Sequence, residues 1–105
     1  MALNTVGIVC ALASEARHLR PTDSTLVITT GMGSSAASAG ARSLIDAGAR
    51  ALASWGMAGG LDPSVQAGEI LLPTEVITAD GRVHRCEKGW RERLGATIEA
   101  RDGRF

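Results

Sequence analysis

Aromatic residues are nearly absent from this chain. It has no Tyr, one Phe (Phe105) and two Trp, Trp55 and Trp90, in 105 residues. Aromatic side chains bury large areas, so a core built from Ala, Val, Leu and Ile is thin per residue. Net charge is also missing, because 11 Lys and Arg balance 11 Asp and Glu. No basic cluster interrupts the chain, which removes the electrostatic footprint of a nucleic-acid or acidic-membrane partner. No apolar run approaches the ~20 residues that cross a bilayer. Met1 to Leu12 lacks a basic leader and meets Glu15 and Arg17 at once, so no signal peptide is expected. A cytoplasmic protein is the expectation.

Cysteine is scarce too. Cys10 and Cys86 lie far apart and suggest neither a disulfide framework nor a metal motif. Cys10 sits in an apolar run and reads as a small buried hydrophobe, and Cys86 has polar neighbours. His18 and His84 have no partner at metal-ligand spacing and read as structural or solvent-facing. No cofactor and no metal are expected.

What is present is a βαβ rhythm. Thr5 to Leu12 (TVGIVCAL) is a continuous apolar run, as in a strand covered on both faces. Ala13 to Leu19 is helix-permissive, and Pro21-Thr22-Asp23-Ser24 is a turn. Thr25 to Thr30 is a second strand, running into Gly31-Met32-Gly33. Ser34 or Ser35 can cap a helix that continues to about Ala47, with Gly48 as its C-terminal cap. Ala51 to Trp55 is a third strand, followed by the turn Gly56-Met57-Ala58-Gly59-Gly60. Leu61 to Gly68 is a loop, and Glu69 to Thr78 a fourth strand in which Pro73 implies an interruption or an edge. Asp80-Gly81 is a turn into a short strand, Arg82 to Cys86. Lys88 to Leu94 reads as a helix, and Ala96 to Ala100 as the start of another strand.

The fold class is therefore α/β, a mostly parallel sheet with flanking helices in one small domain. Such sheets bind ligands at the carboxyl ends of their strands. Three places there are candidates: the loop carrying Glu15, the Gly31–Gly33 turn and the Gly56–Gly60 turn. Gly31-x-Gly33-x-x-Ala36 matches the dinucleotide fingerprint in its alanine form. It follows the second strand instead of the first, and the next strand ends Ser54-Trp55-Gly56 without a ribose-binding carboxylate. A dinucleotide cofactor is disfavoured. A glycine turn opening a helix still presents N–H groups that suit phosphate or a sugar hydroxyl, although the same residues also make a plain tight turn.

The stretch WGMAGGLDPSVQAGEILLP, from Trp55 to Pro73, is more specific. It resembles the nucleoside phosphorylase and nucleosidase superfamily, whose members have a strand ending in a G-x-A-G-G-L type turn, a proline-bearing loop and a G-[DE]-[IL] strand start. Gly7 to Glu15 (GIVCALASE) is similar to the family's first strand and acidic loop. Thr30 to Ala37 (TGMGSSAA) is similar to its second glycine turn. The compact link through Pro21 lacks the hairpin common in the nucleosidases and looks closer to the hopanoid-associated phosphorylases. The resemblance covers about residues 5 to 78.

That resemblance implies cleavage of the N-glycosidic bond of a purine nucleoside, adenosine-type in many members, by water or by phosphate. It implies Glu15 as the general base. Without the resemblance, Glu15 would read as a solvated glutamate at a helix start. It also implies Gly31, Met32, Gly33, Met57, Ala58, Gly59 and Gly60 as the substrate cradle. Met57 departs from the family, where a serine hydroxyl is common, and so removes a polar contact to sugar or phosphate. Phosphorylases supply an arginine to phosphate; Arg17 and Arg42 are the candidates, and neither stands in a motif position. Relatives form homo-oligomers. Their ribose-binding glutamate and leaving-group acid come from the second half of the domain, so these 105 residues are expected to be its amino-terminal part. A remnant that binds nucleoside or a partner subunit without turnover is the alternative.

Overall fold

The computed structural model describes residues 5–105. The chain divides into two compact units, Met1–Gly59 and Gly60–Phe105. The first contains β1 (Val6–Cys10), α1 (Ala13–Ala16), β2 (Thr25–Thr29), α2 (Ser34–Asp46) and β3 (Ala51–Ser54). Its three strands form one parallel sheet in the order β2-β1-β3. Val6 stands opposite Thr25 on one side and Ala51 on the other, and Cys10 opposite Thr29. The strands therefore start level and end at one rim. The expected α/β class with a parallel sheet is what the chain forms.

Helix α2 packs on β1 and β2, and α1 on the same two strands. Gly33 is the N-cap of α2, at φ 104°, and no side chain caps the helix. The expected serine cap is thus displaced by one residue: Ser34 begins the helix. At the other end, Gly48 at φ 109° donates to Ile45 O and Ala49 to Leu44 O. This is the Schellman closure, which satisfies two orphan carbonyls. It also brings together Leu44 and Ala49, both buried, and with Cys10 they make up the buried apolar core. The core is as thin as the composition predicts. Strand β2 is half-buried along most of its length instead of sealed.

Gly40 lets α2 sit down on β2. A Cβ there would run into Thr30 Cγ2 and stand 3.4 Å from Ile28 Cγ2.

The second unit holds β4 (Leu71–Ile77), β5 (Val83–Arg85), α3 (Lys88–Thr97) and β6 (Arg101–Arg104) in a sheet of order β5-β4-β6. β4 and β5 are antiparallel, joined through the Asp80-Gly81 turn, where Gly81 N donates to Thr78 O. β6 is parallel to β4, with a register shift between Pro73 and Glu75. Proline has no N–H to give the ladder, so the irregularity falls where the sequence placed it. Helix α3 runs three residues past the expected Leu94, and the strand expected over Ala96–Ala100 begins at Arg101 instead. Gly95 and Ala96 do not stop a helix here; the β-branched pair Thr97-Ile98 does, with Ile98 already extended at φ −129°. No residue of this unit is buried. Ion pairs lace it, Arg91 to Asp102 at 2.7 Å, Arg101 to Glu69 at 3.0 Å and Arg104 to Glu75.

Gly40→Ala would gain about 0.5–1 kcal/mol of helix propensity, yet overpacking of this kind costs about 1–3 kcal/mol. The expected outcome is a lower urea midpoint, largely recovered in Gly40→Ala/Thr30→Ser, which deletes the obstructing methyl. A single variant as stable as the wild type would show that α2 is not seated so closely.

Candidate functional site

The rim where β1, β2 and β3 end carries all three loops named from the sequence. After β1 the chain stays extended through Leu12 (φ −120°, ψ 145°) and then winds into the single turn α1. Glu15 is the third residue of that turn. Its Oε1 accepts the Leu12 N–H at 3.0 Å, the acidic half of a capping box. The reciprocal half is absent because leucine has no side-chain acceptor.

The other carboxylate oxygen reaches across the sheet. Glu15 Oε2 accepts the Met57 N–H at 2.8 Å, and the Trp55 indole Nε1–H donates to the Glu15 main-chain carbonyl at 3.0 Å. Gly56, between those two donors, has no room for a side chain: a Cβ would lie 2.6 Å from Oε2. Glu15 is only 8% exposed. A buried carboxylate without partners is costly, and here both oxygens are engaged.

The strand order explains why these loops meet. With β1 in the centre, the chain goes first to β2 and then back across to β3. The β1 and β3 ends are where that order reverses, the place at which open α/β sheets bind ligands. Glu15 and Met57 meet there.

The turn after β2 joins the same rim from the other side. Thr30 N donates to Cys10 O at 2.8 Å and Gly31 N to Ala11 O at 3.0 Å. Gly31 and Gly33 have φ of 83° and 104°, so the turn needs both glycines. Beyond it, the first-turn amides of α2 carry no side-chain cap, leaving the positive end of the helix dipole open. Met32 and Met57 are 79% and 78% exposed. Ala58 and Gly59 are exposed and continue the turn from Met57, and Gly60 belongs to the second unit. Among the described residues, no hydrogen bond links Met32 or Gly33 to Glu15.

Other candidates stand apart. Arg17 points its Nε at His18 Nε2, both exposed, and Arg42 lies exposed on α2. His84 is exposed on β5. Among the described residues, no group of three or more His, Cys, Asp and Glu is placed to hold a metal, and no helix is long and apolar enough to cross a membrane. The sequence gives no site role to Trp55, which reads only as the end of a strand. Its position directly before a glycine turn was the available signal.

A family model described as the phosphorylase superfamily matches residues 22–89. The matched span takes in both glycine turns and the Gly68-Glu69-Ile70 strand start, and begins after Glu15. Neither the comparison with curated proteins nor that with solved structures gave a significant match.

Burial pushes the Cys10 thiol up from its ordinary value, and the nearby Glu15 carboxylate pushes it further the same way. A raised thiol holds less thiolate at a given pH, and the thiolate is the reactive form. Maleimide labelling of the folded chain at mildly alkaline pH is therefore expected to modify the half-buried Cys86 first. Cys10 should remain the slower site in Glu15→Gln as well, since burial is the larger cause. Mass spectrometry of the labelled peptides checks this, and faster labelling at Cys10 contradicts it.

Proposed function

The chain belongs to the phosphorylase superfamily, and from that premise we propose that it serves in cleaving the N-glycosidic bond of a purine nucleoside. The carrying observation is the Glu15 carboxylate, buried at the sheet's switch point and tied to the glycine turn after β3. In the proposed step a water oxygen bonds to the anomeric carbon of the ribose. The carbon–nitrogen bond to the purine breaks, with its electron pair leaving on the base. Glu15 accepts the proton that the water gives up, and the departing base takes up a proton in turn. A positioned base and acid of this kind are worth about 10²–10⁴-fold each.

Water is favoured over phosphate as nucleophile. Residues 11–16, 30–34 and 55–59 of the three rim loops contain no Lys or Arg, Arg17 following the first of them, and charged donors are the stronger partners of a phosphate. The uncapped start of α2 suits a neutral sugar hydroxyl as well as an anion. Met57, standing where relatives often carry a hydroxyl, supports an adenosine-type substrate with an apolar substituent.

A second reading, binding of nucleoside without turnover, has its own support. Both Glu15 oxygens already accept backbone N–H groups, as a purely structural clamp would.

Release of free adenine from adenosine, with and without inorganic phosphate, decides between these. Hydrolysis predicts release that is indifferent to phosphate and falls by about 10²–10⁴-fold in Glu15→Gln. An unchanged rate in that variant would remove Glu15 as the base, and a rate that depends on phosphate would make the reaction phosphorolysis. Calorimetric binding of adenosine with no free base formed would establish the second reading.

A further inference from the structure

Helix α1 is a single turn of four residues, and Glu15 is its only buried one. A turn that short does not hold itself together in water, so the position of Glu15 is fixed by what it is bonded to. Two of those bonds, from Leu12 N–H and Met57 N–H, end on the carboxylate. They depend on its protonation state, because a carboxyl group that gains a proton becomes a donor on one oxygen. Two more bonds do not titrate: the Glu15 N–H donates to Leu12 O at 3.1 Å within the turn itself, and the Trp55 indole donates to the main-chain carbonyl of Glu15 from outside it. Trp55 is itself anchored, its own N–H donating to Val9 O at 3.0 Å. It therefore spans from the end of the central strand to the turn that carries the acid. The residue is 48% exposed, so burial alone does not account for a tryptophan here.

We infer that Trp55 is a positioning residue for Glu15: its indole N–H holds the main chain of the acid in place while the carboxylate exchanges partners. The catalytic part of this rests on Glu15 being the base of the proposed reaction. The holding part rests on the geometry alone. Gly56 completes the arrangement, since Trp55 and Met57 can both reach one residue only if the residue between them lies flat against its carboxylate.

Hydrogen exchange read by NMR on the full chain separates the two parts. Trp90 supplies the internal reference, being partly exposed with no partner for its indole N–H among the described residues. In the wild type, the Trp55 indole N–H is expected to exchange more slowly than that of Trp90 by about two- to tenfold, the range one hydrogen bond carries. Trp55→Phe keeps an aromatic ring and loses the donor. In that variant, the Leu12 and Met57 amides are expected to exchange faster by a similar factor, while amides of β6 are unchanged. In adenine release from adenosine, the same variant is expected to lower kcat with KM nearly constant, the pattern of an interaction used in the transition state. Equal exchange at the two indoles overturns the proposal without any variant having to fold. So does a Met57 amide that exchanges at the wild-type rate in Trp55→Phe. If the wild type releases no adenine at all, the turnover proposed for this chain fails, and the exchange measurements still decide whether Trp55 holds the turn.

Discussion

A carboxylate buried at the end of a parallel sheet organises this structure. Glu15 bonds backwards to its own helix cap and sideways to the amide that follows Gly56, and each bond demands something of the sequence. The backward bond demands an extended Leu12 followed at once by a helical turn. The sideways bond demands a β3 loop that can approach a side chain from the β1 loop, which only a glycine at position 56 permits. Remove the carboxylate and those two amides lose their acceptor; remove either amide and a buried acid loses a partner. Losses of that kind cost more than the bonds are worth on net.

That arrangement depends on β1 being central. In an order of β1-β2-β3 the first and third loops would be separated by a strand, two inter-strand spacings or about 9–10 Å apart. A backbone amide could not meet the acid without a larger loop. The crossover through α2 places β3 on the free side of β1, and the close seating of α2 on β2 through Gly40 sets that crossover. A glycine in the middle of a helix and a glycine in a loop thus serve the same end.

Much of this was legible in the sequence. The apolar runs announce β1, β2 and β3; Gly31 and Gly33 mark the turn after β2 because both take positive φ, and Gly56 marks the turn after β3 because a side chain there would strike Glu15. Pro73 announced the irregularity in β4 for the same kind of reason. The errors lie where local preference is weak. Ser34 and Ser35 are both good caps by composition, yet the cap fell on Gly33, whose backbone angles only a glycine adopts readily. The end of α3 was misplaced because Gly95 and Ala96 neither stop nor compel a helix. Trp55 was missed for a different reason: its partner is a main-chain carbonyl forty residues away, and no residue type advertises a carbonyl. The site's components could be named from the sequence, but the bonds joining them are tertiary facts.

The clamp and the base need not compete for Glu15. A carboxylate offers about four lone-pair sites, and the two backbone donors occupy one on each oxygen. The remaining capacity suffices for a water molecule, provided the acid does not shift as the proton moves. A structural clamp that used only the carboxylate would fail at that moment, because protonation weakens the bonds that hold it. The bond from the Trp55 indole to the Glu15 carbonyl ties the turn to the end of β3 and is left alone by protonation. An anchor indifferent to the charge of Glu15 is what the proposed base would require, since it would hold the main chain in place through a change of protonation state.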